Sequence, residues 1–390
     1  MDSKVCITRC PSYDDAAVRA ALGEALKPFG GLGAFFKPGR RVVLKVNLLR
    51  GAPPEQTVTT HPSVVKAVAR AAREVGATPV LADSPGSGLP YTKRTLEKCY
   101  RRAGYLKLAD DVGLELNYDT SSQTVLVDEA RVAKRFNVIT PVLEADAVIN
   151  LCKLKTHAFT ILTGAVKNLF GVLPGFDKPG YHARMRTVDN FADVLLDVAL
   201  FVKPALNVME AVVAMEGNGP GLGDARKVGL IMAGPSALAL DVAAGAITGL
   251  APERHPVLRA AARRDIKPNR PGDLEVVGPS LESLALDDWK WPPTIIEEGG
   301  FANAGPFQRF ITNLLRDGLS VQPRVRRDRC TGCALCRESC PVGAIAVIND
   351  KSYVDEKLCI RCYCCHEACA YDAIELRRSL LHRLAGAVLT

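Results

Sequence analysis

Residues 330–369 read CTGCALCRESCPVGAIAVINDKSYVDEKLCIRCYCCHEAC. Cys330, Cys333 and Cys336 stand two residues apart, and Cys340 follows after three more, with Pro341 behind it. Twenty-nine residues on, Cys359, Cys362 and Cys365 repeat the spacing and Cys369 closes it. The flanks repeat too, since Gly343-Ala344-Ile345 corresponds to Asp372-Ala373-Ile374. Spacers of two residues let successive thiolates wrap three corners of a cuboidal iron–sulfur cluster while backbone N–H groups face its sulfurs. Paired C-x2-C motifs alone would also suit structural zinc, but the full C-x2-C-x2-C-x3-C run, present twice, selects iron–sulfur ligation. Nine of the thirteen cysteines fall in this stretch, in a chain of 390 residues whose start has no signal-peptide pattern. That fits thiolate ligation in a reducing compartment rather than disulfides.

The duplicated run resembles the bacterial two-cluster ferredoxin, which implies two [4Fe–4S] clusters. In that pattern the fourth cysteine of each run ligates the other cluster. The resemblance therefore implies Cys330, Cys333, Cys336 and Cys369 around one cluster, and Cys359, Cys362, Cys365 and Cys340 around the second. The second run departs from the pattern at Ala370, where proline is usual, and adds Cys364, read as a packing residue and not a ligand. Nine Lys/Arg against eight Asp/Glu over residues 326–378 leave the module nearly neutral. Free ferredoxins are usually acidic, so this one reads as an internal wire.

Upstream, residues 1–290 alternate apolar runs with helical patterns. Strands are expected at Val5–Thr8, Arg41–Leu48, Pro79–Ala82, Thr124–Val127, Ala147–Leu151, Ala205–Met209, Val228–Met232 and Leu274–Val277. Helices are expected at Asp14–Leu26, Pro62–Val75, Arg94–Gly104, Thr160–Phe170, Val188–Val202 and Ala237–Thr248, with Asp14 and Ser63 as starting residues. This order predicts an α/β fold: a large domain with a mainly parallel sheet, followed by a small α+β two-cluster ferredoxin-like domain. The domains read as 1–290, a connector at 291–325 with a short helix Phe307–Leu315, the ferredoxin-like module at 326–376, and a basic amphipathic tail at 377–390. The most membrane-like window, Gly229–Leu250, contains Pro235 and Asp241 and reads as a strand, a turn and a buried helix. No transmembrane segment is expected, and the location reads as cytoplasmic. A net charge of +8 without a dense basic block argues against nucleic acid and points to an anionic substrate or partner. There is no Gly-Lys dipeptide, hence no phosphate-binding loop with its lysine, and the Gly217–Gly223 glycines have the wrong spacing for a dinucleotide site.

The stretch with the densest chemistry in the large domain is Leu151–Gly175, LCKLKTHAFTILTGAVKNLFGVLPG. Lys153, Lys155 and His157 follow a buried strand, and Thr156, Thr160, Thr163 and Lys167 recur at helical spacing as one polar stripe. Gly164 and Gly171 would keep that stripe low enough for a ligand to approach. Ligands of open α/β sheets bind beyond the carboxyl ends of strands. Other strand ends carry Lys45 and Asn47, Asp83 and Ser84, and Glu210 leading to Glu216. His182 and Asp189 are weaker candidates. Cys6, Cys10, Cys99 and Cys152 read as buried, inert thiols.

The segments LKVNLL (44–49), KLKTH (153–157), TGAVKNLFG (163–171) and MEGNGP (215–220) resemble the domain-of-unknown-function-362 family, whose members often carry a two-cluster ferredoxin module. The resemblance supports Lys45, Asn47, Lys153, His157, Lys167, Asn168 and Glu216 as site residues and supplies no reaction. Together the readings predict an iron–sulfur reductase. An external electron donor or acceptor protein would be served through the clusters. Lys45, Asn47, Lys153, Lys155 and Asn168 would bind an anionic small molecule, and His157, Lys167 and Glu216 would act on it, His157 or Glu216 as proton donor. The alternatives are an electron-carrier subunit docking a protein partner, and a cluster or metal maturation protein.

Overall fold

The computed structural model describes residues 3–86, 89–175, 177–185, 187–292 and 322–377. The expected connector helix Phe307–Leu315 and the tail beyond Arg377 lie outside the described residues. Strands are numbered in chain order. One nine-stranded sheet runs β11 (Glu275–Val277), β1 (Lys4–Arg9), β10 (Asp224–Gly234), β9 (Leu206–Glu216), β7 (Ala147–His157), β2 (Arg41–Lys45), β3 (Thr78–Ala82) and β4 (Glu115–Leu116), with β8 (Ile161–Thr163) on β7. Five pairings are parallel: β1–β11, β2–β3, β2–β7, β3–β4 and β7–β9. The three antiparallel ones involve β10 and β8. The chain is thus an α/β protein with a mostly parallel central sheet and small antiparallel sheets at its carboxyl end.

Alternation along β2 explains the layering. Val42 and Leu44 pack in one core with helices Asp15–Leu26, Pro62–Glu74, Lys93–Arg102 and Tyr105–Val112, while Val43 faces a second core with helices Val188–Val202 and Pro256–Arg263. Side chains at successive strand positions point to opposite faces, so a strand buried on both sides is apolar throughout. A third core under helix Ala237–Ile247 completes the sheet's far end.

Three local expectations fail. The segment Thr160–Phe170 is not one helix; it forms β8 and then a short helix, Ala165–Leu169. Thr156, Thr160, Thr163 and Lys167 therefore share no helical stripe. The strand expected at Thr124–Val127 is present, in a separate hairpin of β5 (Ser122–Leu126) with β6 (Arg135–Ile139). Ser63 does not start its helix; His61 does, its Nδ1 accepting the Ser63 N–H at 3.2 Å. The other expected strands and helices are present, several longer than expected: β7 runs to His157 and β9 to Glu216.

In the carboxyl-terminal module, β12 (Gln322–Val325) pairs β15 (Ile374–Arg377) and β13 (Ile345–Ile348) pairs β14 (Lys351–Val354). Short helices Leu335–Glu338 and Cys364–Ala368 lie within the two cysteine runs, before Cys340 and Cys369 respectively.

Candidate functional site

A polar row crosses three parallel strands. Lys45 on β2 sits opposite Asn150 on β7, which sits opposite Asn207 on β9. All three are buried in an otherwise apolar sheet. A buried amide must find partners, and here the amides satisfy one another. Asn150 Nδ2 donates to Asn207 Oδ1 (2.8 Å), Asn168 Nδ2 to Asn150 Oδ1 (2.7 Å), and Asn47 Nδ2 to Asn168 Oδ1 (3.0 Å). Lys155 Nζ closes the chain by donating to Asn47 Oδ1 at 2.8 Å.

This network floors a cleft at the carboxyl ends of the parallel strands. Six of the eight expected large-domain residues line it: Lys45, Asn47, Lys155, His157, Lys167 and Asn168. Lys45 pairs with Asp83 at 2.8 Å. Asp83 also accepts the N–H groups of Leu48 and Ser84, and Lys45 donates to the Val46 carbonyl, so the pair is fixed at both ends. Burial pushes Lys45 down and Asp83 up, and their mutual attraction opposes both shifts.

The remaining lysines lack such a counter-charge. Lys155 donates only to Asn47 and to the Val58 carbonyl (2.9 Å). Lys178, on helix Asp177–Arg184, donates to Ser84 Oγ (2.8 Å) and the Leu173 carbonyl (2.6 Å). Lys167 has no hydrogen bond or ion pair among the described residues, and Glu367 is the strongest charge near it. Burial drops Lys178 to about 7 and Lys155 well below the usual lysine value.

His157 is fully buried, and its Nδ1 accepts the Phe159 N–H (3.0 Å) and the Thr160 N–H (3.3 Å). The neutral ring therefore carries its proton on Nε2, which lies 3.2 Å from Glu367 Oε1. The two atoms are out of line for a proper hydrogen bond, so both keep bonding capacity. Burial holds His157 near 3 and His182, another lining residue, near 4.

Glu367 and Cys364, which also line the cleft, belong to the carboxyl-terminal module, so the two domains share the cleft. Cys364 is a buried neighbour of Cys362. Further contacts hold the domains together. Ala158 and Phe159 pack on Tyr363 and Leu376, and the Arg50 guanidinium lies near Cys369.

Two expected residues are elsewhere. Lys153 is consumed in a buried pair with Glu210 (2.6 Å), which also accepts the Tyr13 hydroxyl. Glu216 turns to Lys290, accepting its backbone N–H at 3.2 Å. The cause is an irregularity in the β7–β9 register, which jumps from Lys153–Glu210 to Lys155–Met215 and re-aims neighbouring side chains. Asp189 pairs with Arg259 and Arg263, away from the cleft. The glycines also serve a different purpose from the expected one. A Cβ on Gly164 would lie 2.0 Å from Asp241 Oδ1, and one on Gly171 2.3 Å from Asp83 Oδ1. They admit buried carboxylates, not a ligand. Asp241 accepts the N–H groups of Ala165 (2.5 Å) and Val166 (3.2 Å), pinning the short helix that carries Lys167 and Asn168.

The cysteine runs are built alike. Gly332 and Ala334 in the first, and Arg361 and Tyr363 in the second, adopt positive φ between 57° and 68°. Such turns aim backbone N–H groups inward as an anion nest, common at iron–sulfur sites. The N–H groups of Ala344 and Ala373 reach Cys340 Sγ and Cys369 Sγ, each at 3.2 Å. Cys333 and Cys369 neighbour Cys336, whereas Cys340 and Cys362 neighbour Cys359. Cys340, Cys359, Cys362 and Cys365 lie around one small void. Among the described residues no three His, Cys, Asp or Glu side chains converge on one ion. Thiols spread around a void suit a polynuclear cluster, which needs ligands at separated corners, better than zinc, which gathers four at about 2.3 Å.

No helix among the described residues is long and apolar enough to cross a membrane. The chain is 35% identical over 303 residues to a thylakoid-associated protein of Synechocystis, covering 76% of this chain and 90% of that one. Over 48 residues it is 42% identical to one component of an ion-translocating oxidoreductase complex of Methanosarcina acetivorans, covering 12% of this chain and 18% of that one. Among solved structures it matches the lactate racemase apoprotein of Thermoanaerobacterium thermosaccharolyticum with a TM-score of 0.35 and 12% identity, covering 55% of this chain and 51% of that chain. Residues 323–346 match the 4Fe-4S binding domain, giving the chain an iron–sulfur electron-transfer module. Residues 42–246 match the Domain of unknown function (DUF362), and the chain is a member of that family.

Proposed function

We propose that the protein is an iron–sulfur reductase in which two [4Fe–4S] clusters serve an anionic small molecule held in the interdomain cleft. One observation carries this reading: Glu367 and Cys364 of the cluster-binding module line the same cleft as Lys155, Lys167, Lys178 and His157. Cys330, Cys333, Cys336 and Cys369 would hold one cluster, and Cys340, Cys359, Cys362 and Cys365 the other. When bound, the clusters supply electrons singly. A two-electron reduction of substrate consumes two electrons from an external redox protein and two protons.

The residues then have distinct tasks. Lys155, Lys167 and Lys178 hold the anion, and Asn47 and the Val58 carbonyl fix the ammonium of Lys155. The Lys178 ammonium, poised near neutrality by burial, is the better proton donor. His157 cannot easily donate, because its only proton is on Nε2 of a neutral ring; it faces Glu367 instead.

Five of the seven exposed large hydrophobic residues among the described ones lie on the module: Val342, Ile348, Leu358, Ile360 and Tyr371. With the exposed Cys333, they give the external protein apolar surface on the module. The same patch, with the similarity to a component of an oxidoreductase complex, favours the second reading, an electron carrier that docks a protein partner. A cytoplasmic location belongs to both.

The test is anaerobic. The loaded protein is analysed for iron and sulfide, reduced, freed of reductant, and mixed with a panel of small carboxylates and phosphoesters while its paramagnetic signal is followed. About eight irons per chain and ligand-accelerated reoxidation that Lys167→Ala abolishes, with both clusters retained, are expected. Reoxidation indifferent to every small molecule but fast with a partner protein would replace the enzyme by the carrier.

A further inference from the structure

The charges around the cleft do not balance. Lys45 is matched by Asp83 at 2.8 Å, and Lys167 has Glu367 as its nearest strong counter-charge. Lys155 and Lys178 are buried and meet only neutral oxygens: Asn47 Oδ1 and the Val58 carbonyl for one, Ser84 and the Leu173 carbonyl for the other. A buried charge without a partner is expensive unless something else neutralises it. Neither lysine can turn away, since each already has two short hydrogen bonds that hold its ammonium at the cleft wall. The cleft holds no carboxylate beyond Asp83 and Glu367.

We propose that the cleft is built for a small dianion, whose two negative charges are the counter-charges that Lys155 and Lys178 lack. This deepens the reading of the cleft as a substrate site and does not depend on the reaction. The shared chemistry is two negative charges within one small molecule, as in a dicarboxylate or a phosphate. Monoanions would leave one buried ammonium uncompensated.

Binding is coupled to protons. In the empty cleft burial favours neutral amines, so an arriving dianion draws protons onto Lys155 and Lys178. The charged groups facing Lys155 are Lys153, Lys167, Arg50 and Glu367, and those facing Lys178 are Asp83, Lys45 and Asp177. Cations outnumber carboxylates around Lys155, which strengthens the uptake.

The experiment is calorimetric titration of the full, cluster-loaded chain with oxalate, succinate and inorganic phosphate, against acetate and chloride. Millimolar concentrations and equal ionic strength keep salt exclusion out of the measurement. Repeating it at pH 8 in two buffers of different ionisation enthalpy counts protons. At least one dianion is expected to bind more than about tenfold tighter than acetate, because its second charge meets a second buried ammonium, with net proton uptake. Dicarboxylate-only binding and phosphate-only binding identify the source of the charge, and either supports the proposal. Lys178→Met is expected to abolish the preference for dianions. If Lys178→Met does not fold, Lys155→Met gives the same readout from the opposite wall. Equal affinity for acetate and for every dianion, or a preference that survives both substitutions, overturns the proposal. A dianion that binds with proton uptake but leaves cluster reoxidation unchanged removes the reductase reading and keeps this one.

Discussion

Gly171→Ala isolates the Lys45–Asp83 pair from everything else in the cleft. An added Cβ would stand 2.3 Å from Asp83 Oδ1, 2.5 Å from Lys45 Nζ and 3.0 Å from Lys45 Cε. Neither side chain can yield cheaply. Asp83 is held by the Leu48 N–H at 2.8 Å and the Ser84 N–H at 2.9 Å, and Lys45 by the Val46 carbonyl at 2.8 Å. Both are almost wholly buried, 1% and 3% exposed at the side chain. Ordinary overpacking costs about 1–3 kcal/mol, whereas parting a buried ion pair costs about 3–5 kcal/mol because each charge is left without its partner. The pair is the nearest obstacle, so the larger figure applies.

The assay is urea unfolding of the loaded protein at pH 7.5, followed by circular dichroism, with Gly23→Ala as control. Gly23 is exposed inside helix Asp15–Leu26, and a Cβ there meets nothing within 4 Å. Alanine at that site should stabilise by about 0.5–1 kcal/mol, the opposite sign. Gly171→Ala losing less than about 1 kcal/mol would mean that the pair slides aside and is not the rigid floor assigned to it.

Three further outcomes follow from other residues. Arg50 is buried, its Nε and Nη1 have no partner, and Cys369 is one of its charged neighbours. Arg50→Gln removes a cation that favours added negative charge, so a redox titration monitored by paramagnetic resonance should find one cluster harder to reduce; an unchanged midpoint would detach Arg50 from the cluster. Lys153→Met leaves Glu210 buried and unpaired and should cost about 3–5 kcal/mol in urea unfolding, while anion binding in the cleft is unaffected. His255 is buried with both ring nitrogens unpartnered, and burial drops it from 6.5 to about 4. The folded state thus binds this proton more weakly than the unfolded one, so its stability contribution is complete above about pH 6.5 and is lost as pH falls toward 4, roughly 3 kcal/mol in all. His255→Leu should flatten that part of the stability profile between pH 7 and 5; an unchanged slope would assign the acid sensitivity to other groups.

The strands and helices of the large domain were legible wherever the pattern was local. The apolar strand ends pointed to Lys45, Asn47, Lys155, His157, Lys167 and Asn168, and the fold gathers these six. What escaped depends on distant residues. The segment Ala158–Leu169 has a helical spacing of polar groups, yet β7 continues through Cys152-Lys-Leu-Lys-Thr-His with alternating polarity and folds back as β8. The helix starts only at Ala165, where Asp241, over seventy residues away, accepts its first N–H groups. Lys153 and Lys155 share a strand face in any local reading, and only the β7–β9 irregularity sends one to Glu210 and the other to the cleft. Asn150 and Asn207 could have been noticed as lone amides in two apolar strands, but their pairing requires the register. Lys178 and Glu367 carry no local signal at all.

The contacts between the domains bear on which of the two functional readings is the stronger. A carrier that cycles between partners presents the edge of its cluster-binding module to each in turn, and the approach must stay open. Here helix Cys364–Ala368, which lies between two cysteines of the second run, is buried against the large domain. Its Glu367 faces His157, and the neighbouring Tyr363 packs on Ala158 and Phe159. Arg50 and Gly221 close the other side, where a Cβ on Gly221 would meet Arg50 Nη1 at 2.2 Å. Separating these surfaces would expose His157, Arg50 and Glu367, all now buried. The module is therefore buried against the large domain at Cys364, while Cys333 is exposed. Of the two proposals, this arrangement favours the internal wire over the carrier.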